Sequence, residues 1–319
     1  MQTFIIRRLI AVPITILISS FIVFAVTRMM PGKLVDLILT ATDYDLVDDE
    51  VRAAIAKRLG LDLPIPQQYL NWISDLVLRG DLGLSLNKEI PVMDEILRHL
   101  PNTAELGTLA LLFACVLGLT VGIFSALRPE SLGDHLARGG AILGLAIPGF
   151  WLGTLAVVLP SLWWGWTPPL EVAPLFEDPW LNLQKYWLPA AILGLAYSAV
   201  IMRMTRTMML EVLNQDYIRT AWAKGQREHV IILRHALKNA MIPVISLIGL
   251  LTPTLVGGTV IIENIFNIPG LGSLLLEAIG GRDHPMISGI FMIFALIIIS
   301  VNLMVDLSYG FLDPKVRYE

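Results

Sequence analysis

The sequence predicts an all-α membrane protein with six transmembrane helices. Of its 319 residues, 55% are hydrophobic, and the mean hydropathy is +0.69. Charged side chains are confined to a few blocks, and the runs between them approach or exceed the roughly 20 apolar residues that a helix needs to cross a bilayer. These charge-free runs cover residues 9–27, 106–127, 139–170, 186–202, 239–262 and 285–305.

The first run is expected to be a retained helix rather than a cleaved signal sequence. Arg7 and Arg8 precede it, as the positive residues of a signal sequence would. However, the run is longer than the roughly 7–15 apolar residues of a signal sequence, and no A-x-A-like cleavage site follows before Arg28.

The third run is too long for one straight helix. Proline lacks a backbone N–H, so we expect Pro160, Pro168 and Pro169 to end the helix. The tryptophan-rich segment 163–166 is typical of an aromatic belt at a membrane interface, here assigned to the outer surface.

Lysine and arginine near span ends are retained on the cytoplasmic side of a membrane. With both termini cytoplasmic, the inner segments hold 13 basic and seven acidic residues, and the outer segments hold ten basic and 19 acidic ones. The long segment 31–102 has basic residues of its own, but long segments translocate largely regardless of charge. The opposite orientation remains an alternative.

The segment 31–102 is predicted to be a folded helical insertion. Asp48 can cap a first helix whose apolar face runs through 51–59 and which stops at Gly60. A second helix is predicted over 67–77, a turn at the GDLG sequence of 80–83, and a short third helix over 91–100.

No catalytic, cofactor or metal-binding pattern is present. The chain lacks the G-x-x-x-x-G-K-[ST] phosphate loop and the G-x-S-x-G elbow, and its single cysteine, Cys115, lies within the second run. The five histidines are scattered without ligand spacing; they are His99, His135, His229, His235 and His284. We therefore expect no enzymatic activity, no bound cofactor and no metal.

Charges are almost absent from the runs themselves, with Asp306 at the end of the last run as the exception. Ion-coupled carriers usually place ionisable groups at membrane depth. Energy for any transport is therefore expected to come from outside the chain.

Paired glycines permit close helix contacts, with a moving hinge as the alternative to ordinary packing. The pairs are Gly118/Gly122, Gly140/Gly144, Gly149/Gly153 and Gly257/Gly258.

A polar, basic stretch at 216–243 separates the fourth and fifth runs. Its pattern predicts a short helix from Asp216 that stops at Gly225, followed by an amphipathic helix. The apolar face of the second helix is expected to comprise Val230, Leu233, Leu237 and Met241. Such an elbow suits either a soluble partner or the surface of an anionic membrane.

The same stretch resembles the EAA loop of ABC importer permeases, in the variant of the dipeptide/oligopeptide permease family. The matching residues are Asp216, Tyr217, Arg219, Thr220, Ala221, Ala223, Lys224 and Gly225, then Leu233, His235, Ala236, Leu237, Asn239, Ala240 and Pro243. Further matches follow in order along the chain: RRL at 7–9, LGLD at 59–62, GDLG at 80–83, LPNTAEL at 100–106, FNIPGLG at 266–272, RDHP at 282–285 and LDPKVRY at 312–318. Arg219 and Thr220 depart from the general EAA pattern, and both departures are typical of the peptide branch.

The resemblance implies a type I ABC importer permease fold, with a five-helix core preceded by one helix. It divides the chain into an N-terminal transmembrane helix (1–30), an extracytoplasmic scoop-like insertion (31–102), a core (103–308) that contains a cytoplasmic coupling loop (203–238), and a cytoplasmic tail (309–319).

The resemblance also implies partners. These are a homologous second permease subunit, two cytoplasmic ATPase subunits that bind ATP and Mg, and an extracytoplasmic solute-binding protein, in the plasma or inner membrane of a bacterium or archaeon. No nucleic acid partner is implied.

By the resemblance, two groups of residues are candidates for function. The expected ATPase-coupling residues are Asp216, Tyr217, Arg219, Thr220, Ala221, Ala223, Lys224, Gly225 and His235. The expected outer-gate residues are Phe266, Pro269, Gly270, Leu271 and Gly272, for which an ordinary turn between spans is the alternative. The implied cargo is a di- or oligopeptide, with nickel complexes, glutathione and oligosaccharides as alternatives. The rival classes are a stand-alone channel or secondary carrier, and an exporter or assembly-scaffold component that would use the same elbow without an outer binding protein.

Overall fold

The computed structural model describes residues 2–29 and 62–312. In this part of the chain the structure is helical, and the one β-type pairing is an isolated bridge between Leu84 and Pro91. The helices are α1 Gln2–Met29, α2 Ile65–Arg79, α3 Val92–Leu127, α4 Leu132–Ala146, α5 Gly149–Trp164, α6 Pro179–Leu213, α7 Asp216–Ala223, α8 Glu228–Val230, a π-helix Ile231–Leu237, α9 Lys238–Ile265, α10 Leu271–Gly280 and α11 His284–Leu312.

Five of the described helical segments are long and apolar enough to span a membrane, and the pair α4 and α5 gives a sixth span if it is counted as one broken span. The six predicted spans thus each correspond to a helix or helix pair. The third span differs from the prediction because its helices meet at an angle of 91°. The break falls at Ile147 and Pro148, where both residues have extended backbone.

The prolines expected to end the third span do not do so. Pro160 lies inside α5, which ends at Trp164 and is capped by Gly165 with a φ of +64°. Glycine adopts this left-handed conformation without steric cost and is the usual residue just past a helix end.

Helices α3 and α6 are longer than the membrane-spanning part of a helix needs to be. With 36 and 35 residues, they extend for about 54 and 52 Å at 1.5 Å per residue, against a hydrocarbon core of about 30 Å. Each helix is therefore longer than the thickness of the hydrocarbon core. The C-terminal end of α6 leads directly into α7.

The chain divides into two compact units. The first, comprising residues 1–8, 103–268 and 300–319, is organised around α6, which packs against α4, α5 and α9. Helix α3 also approaches α6 closely, because a Cβ added at Gly118 would lie 2.8 Å from the Ser198 carbonyl oxygen and a Cβ added at Gly122 would lie 2.8 Å from that of Met202.

Only some of the predicted glycine contacts are close. Besides Gly118 and Gly122, Gly258 is tight, with a hypothetical Cβ 2.8 Å from Leu193. By contrast, Gly140, Gly149 and Gly257 have nothing within 4 Å of an added Cβ. A small residue in the sequence permits a close contact but does not show that a neighbouring helix uses it.

Charged groups are buried within the spans, contrary to the expectation from the charge-free runs. Helix α6 begins at Pro179, so it includes Lys185, which is completely buried. The Lys185 ammonium donates to the carbonyl oxygens of Pro169 (2.7 Å), Phe266 (3.1 Å) and Asn267 (3.1 Å). Glu263, near the end of α9, is also completely buried and accepts a hydrogen bond from Thr103. The prediction failed because these helices continue past the charge-free runs.

The second unit comprises residues 9–102 and 269–299. The predicted insertion helix over 67–77 is confirmed as α2, whose Tyr69 packs against Phe21 and Phe24 of α1 and bonds to Ser20. The predicted short helix over 91–100 is not separate, since it forms the first turns of α3. The helix predicted over 51–59 lies outside the described residues.

In the second unit, the loop after α2 is held by hydrogen bonds to a buried carboxylate. Asp283 is 2% exposed and accepts hydrogen bonds from the Ser85 hydroxyl (2.5 Å) and from the backbone N–H groups of Leu86 (3.1 Å) and Met286 (3.2 Å). Two of the motifs on which the resemblance rests are thereby joined, because Ser85 closely follows the GDLG motif of 80–83 and Asp283 belongs to the RDHP motif of 282–285.

In the same loop, the Lys88 ammonium lies 2.9 Å from a carboxylate oxygen of Glu95 and 3.2 Å from one of Glu277. Partial burial lowers the pKa of Lys88, but the hydrogen bonds to these two carboxylates outweigh that effect, so the pKa is raised above its usual value.

Candidate functional site

The polar segment between α6 and α9 forms a helical elbow. The predicted short helix is confirmed as α7, and Gly225 follows it with a φ of +70°. The N–H of Gly225 donates to the Trp222 carbonyl (2.9 Å) and that of Gln226 to the Ala221 carbonyl (3.4 Å). This pair of bonds is the Schellman motif, in which a left-handed residue satisfies the last carbonyls of a helix.

The apolar side of α7 is buried against its own chain. Ile218 is 0% exposed and Ala221 is 7% exposed. They belong to a cluster with Met209 of α6, Ile231 and Ala236 of the π-helix, Ala240 of α9 and Ala126 of α3. Burial of these side chains by the hydrophobic effect fixes α7 within a cluster formed with four neighbouring elements.

The segment after Gly225 contains a π-helix where the sequence pattern predicted an α-helix. Ile231, Ala236 and Ala240 are buried, whereas Leu233 of the predicted apolar face is 60% exposed. In a π-helix the hydrogen bonds join residues i and i+5, so Ile231 and Ala236 share a face. The predicted apolar face is therefore wrong at Leu233, whereas Leu237 and Met241 are partly buried against the core.

The outward side of α7 and its flanking turns is exposed from Asn214 to His229, except for Ile218 and Ala221. Tyr217 is 43% exposed and Trp222 is 48% exposed. The side chains of Asp216 and Arg219 are 97% and 74% exposed and lie 3.7 Å apart, too exposed for this pair to add much stability. The surface thus presents aromatic and charged groups to solvent, although the Tyr217 hydroxyl accepts a hydrogen bond from the Asn239 amide (2.8 Å).

The structure separates the nine candidate coupling residues into two groups. Seven lie on the exposed surface: Asp216, Tyr217, Arg219, Thr220, Ala223, Lys224 and Gly225. Ala221 is buried and faces its own chain, and His235 is half-buried in the π-helix. Ala221 therefore contributes to the packing of α7 against its own chain and is not part of its exposed surface.

Two residues of this site were not among the candidates. Trp222 is a large exposed aromatic side chain, and Ile218 is the most buried residue of α7. The helical period of 3.6 residues could have identified both, since Ile218 and Ala221 are three residues apart on one face and Trp222 lies outside it.

The five candidate outer-gate residues lie along the turn that leads from α9 to the first residues of α10. Asn267 has a φ of +49°, and Ile268 donates to the Glu263 carbonyl (2.8 Å), which makes a second Schellman motif at the end of α9. Gly270 then caps α10, and its N–H donates to the Ser273 hydroxyl (3.0 Å). Phe266, Gly270, Leu271 and Gly272 are buried and only Pro269 is exposed, which is the arrangement of a helix-to-helix turn.

Within residues 2–29 and 62–312, no group of three or more His, Cys, Asp or Glu side chains could hold a metal ion.

A third span that bends at its centre, helices longer than a membrane crossing requires and a partly exposed helical elbow describe a multi-pass membrane protein. Comparison with known families agrees: residues 118–318 match the family described as "Binding-protein-dependent transport system inner membrane component", and residues 1–107 match its N-terminal domain. The chain belongs to this family of transport permeases, which are membrane transport components rather than enzymes.

Similar proteins match over the full length of both chains. The dipeptide transport system permease protein DppB of Escherichia coli (strain K12) is 39% identical, and the di/tripeptide transport system permease protein DppB of Pseudomonas aeruginosa (strain UCBPP-PA14) is 38% identical, each with 100% of both chains covered. The glutathione transport system permease protein GsiC of Escherichia coli (strain K12) is 37% identical with the same coverage.

A solved structure supports the fold. The crystal structure of an amino acid ABC transporter with histidines matches with a TM-score of 0.52 and 13% sequence identity, covering 68% of this chain and 93% of that chain. The chain therefore has the type I importer permease fold that the sequence predicted.

Proposed function

We propose that this chain is one of two permease subunits of an ATP-driven importer of short peptides, and that the outward surface of α7 docks on a cytoplasmic ATPase subunit. Both termini and α7 lie on the cytoplasmic side. A second permease completes the pathway, and an extracytoplasmic binding protein delivers the cargo.

The observation that carries the proposal is the two-sided nature of α7. A helix that lies on lipid needs its apolar face free to enter the membrane. In α7 that face is already occupied, since Ile218 and Ala221 pack into the chain's own core. The side left free is polar and aromatic, which suits a protein partner.

The composition of the free side supports the same conclusion. Tyrosine, tryptophan and arginine are the residues that contribute most binding energy at protein interfaces. The outward surface offers one of each, Tyr217, Arg219 and Trp222, on adjacent turns of one short helix. Arg219 and Trp222, three residues apart, are neighbours on the helix surface, and Tyr217 lies on the other side of the buried face. Exposed residues of these types can contribute to an interface.

The connections of α7 allow its displacement to be transmitted to two membrane-spanning helices, α6 and α9. It is continuous with α6 through a short turn and is packed against the π-helix that leads into α9. When ATP closes the ATPase pair, movement of α7 turns α6 and α9 and opens the pathway outward. Shifting the ratio of inward-open to outward-open states from 1:99 to 99:1 requires about 5.5 kcal/mol of differential binding.

Cysteine cross-linking tests the docking. In a Cys115→Ala background, Trp222→Cys and Arg219→Cys should each form a disulfide with cysteines placed in the docking cleft of the ATPase. Ala221→Cys, one position from Trp222 but buried, is the matched control and should not cross-link. Equal cross-linking at 221 and 222, or none at 219 and 222, would overturn the docking proposal.

Uptake by purified components tests the energy source. Vesicles holding this chain with its second permease and ATPases should accumulate a dipeptide only when ATP is inside and the loaded binding protein is outside. Vesicles with this chain alone should accumulate none. Uptake by the chain alone would instead identify a stand-alone channel or carrier.

The cargo is proposed from the relatives. Permeases named for dipeptides, di/tripeptides and glutathione are similarly close to this chain, and glutathione is itself a tripeptide. Ligand identification on the cognate binding protein tests the assignment: short peptides are expected, and a nickel complex or an oligosaccharide would refute it.

A further inference from the structure

A buried ion pair joins α4 to α6 beside the end of α3. Arg206 Nε lies 2.8 Å from Asp134 Oδ1, and Arg206 Nη2 lies 2.8 Å from Asp134 Oδ2. The Asp134 side chain is 0% exposed and that of Arg206 is 17% exposed. Such a two-point contact fixes the orientation of both side chains as well as their separation.

Two further donors from other elements complete the carboxylate site. The Ser125 hydroxyl of α3 donates to Asp134 Oδ1, and the backbone N–H of Glu130, in the turn before α4, donates to Oδ2 (3.0 Å). Arg206 Nε also contacts the Ser125 hydroxyl at 3.0 Å. One buried carboxylate therefore binds α3, the turn, α4 and α6 together. We call these residues, Ser125, Glu130, Asp134 and Arg206, the Asp134 cluster.

The packing around the Asp134 cluster is close. An added Cβ at Gly122 of α3 would lie 2.8 Å from both the Met202 carbonyl oxygen and Thr205 Cβ of α6. Ala141 of α4 packs with Met202 of α6 in the same region. Helices α3 and α6 therefore meet at near-backbone distance beside the ion pair, and α4 packs its side chains on α6 in the same region.

Two features indicate that stability alone does not account for the Asp134 cluster. The Thr205 hydroxyl, next to Arg206, is buried and has no hydrogen-bond partner in the structure, which is an unfavourable state for a polar group. A buried ion pair is also weak evidence for stability, because desolvation offsets much of the attraction between its charges. What a buried pair does supply is a defined relative position of the elements that it joins.

We propose that Asp134 and Arg206 are positioning residues of energy coupling, which make α3, α4 and α6 move as one body when α7 is displaced. This inference rests on the proposed docking of α7. Arg206 is in the last third of α6, and α6 leads directly into α7. Asp134 is in the first turn of α4, the first half of the span that bends by 91°. The pair thus passes a displacement of α6 to the broken span.

The test uses the fully assembled transporter in lipid vesicles. The main variant replaces both partners by apolar residues, Asp134→Leu with Arg206→Met, because this exchange removes the ion pair without leaving a buried charge unpaired. Arg138→Met is the matched control, since Arg138 is 3.7 Å from Asp134 but 39% exposed. Arg206→Lys keeps the charge and loses the two-point contact.

The main readout is the number of cargo molecules taken up per ATP hydrolysed. The double variant should assemble and hydrolyse ATP, with uptake per ATP lowered by about fivefold or more, the low end of usual coupling effects between sites. Arg138→Met should match the wild type. Arg206→Lys should fall between the two, and this variant decides the test if the double variant does not assemble. The proposal would be overturned if the double variant took up as much cargo per ATP as the wild type. If the double variant does not assemble, the same result for Arg206→Lys would overturn it.

A distance measurement gives a second readout that a purely structural role would not change. Spin labels at Leu136 of α4 and Glu211 of α6, both exposed, should keep a constant separation when ATP is added to the wild type. In the double variant the separation should change on ATP addition. A separation that changes equally in both proteins would refute the single-body movement. If instead the wild type shows no ATP-dependent uptake, the proposed function itself has failed.

Discussion

The left-handed conformation of Gly225 makes that position intolerant of most side chains. Its φ is +70° and an added Cβ would meet nothing within 4 Å, so any cost of substitution is conformational rather than steric. For residues other than glycine this conformation costs about 1–2 kcal/mol, and less for asparagine.

We therefore expect Gly225→Val to lose most ATP-dependent uptake, because valine would pull the turn after α7 out of its conformation. Gly225→Asn, which tolerates the left-handed region, should retain most uptake. Uptake into vesicles of the assembled transporter, normalised to the amount of chain incorporated, measures the difference. Equal uptake by the two variants would show that the conformation at this position does not matter for coupling.

Asp283 provides a residue-scale prediction in the second unit. Asp283→Ala leaves the Ser85 hydroxyl and the N–H groups of Leu86 and Met286 without their acceptor, and each buried unsatisfied group costs about 1–3 kcal/mol. The purified variant should therefore unfold several degrees below the wild type in a thermal melt. Asp94→Ala, an exposed aspartate of the same unit, should melt like the wild type, and similar losses at both positions would contradict the assigned role.

Gly225 could be predicted from the sequence, whereas the role of Asp283 could not. Gly225 was identified because a glycine after a short amphipathic helix is a local signal, readable within a few positions. The bond between Asp283 and Ser85 joins residues 198 positions apart, and no local pattern reports such a pair. Asp134 and Arg206 escaped notice for the same reason, although Ser131 and Asp134 have the spacing of a helix cap.

At the scale of the helices, the charge-free runs located every span but not its ends. The runs measure where charge is absent, whereas α6 begins before its run and includes the buried Lys185. Helices also continue through Pro101, Pro160, Pro189, Pro243 and Pro253. Tertiary packing overrides the local cost of proline in these helices, so the real break at Pro148 could not be singled out from composition.

The close approach of α3 to α6 yields a prediction with opposite signs at two glycines. Gly118→Ala would place a Cβ 2.8 Å from the Ser198 carbonyl oxygen, and such overpacking costs about 1–3 kcal/mol. Gly140→Ala has nothing within 4 Å and should stabilise α4 by about 0.5–1 kcal/mol, because alanine is the better helix former. Thermal melts of the purified chain in detergent should move down for the first variant and up for the second. An unchanged or raised melting temperature for Gly118→Ala would contradict the described α3–α6 contact, and a lowered one for Gly140→Ala would contradict the open space at that position.

At the scale of the whole molecule, the sequence carries a strong signal for the fold and a weak one for the cargo. Hydrophobic runs and the motif series report properties that the fold imposes on the whole chain, and the family match covers residues 1–107 and 118–318. In the importer proposed above, cargo is selected by a separate binding protein and by side chains along a pathway completed by a second subunit. The residues of this chain alone do not specify that pathway.

The orientation in the membrane provides the last prediction, and it follows from charge. Placing α7 and both termini on the cytoplasmic side gives the inner segments 13 basic and seven acidic residues, and the outer segments ten and 19, as expected from the retention of basic residues inside. The chain has one cysteine, Cys115, so a Cys115→Ala background allows single reporters at exposed positions. Leu78→Cys, at a position 80% exposed on α2, should react with a membrane-impermeant thiol reagent in intact spheroplasts. Gln226→Cys, in the exposed turn after α7, should react only after the membrane is permeabilised. The reverse labelling pattern would place α7 outside the cell, where no ATPase could dock on it.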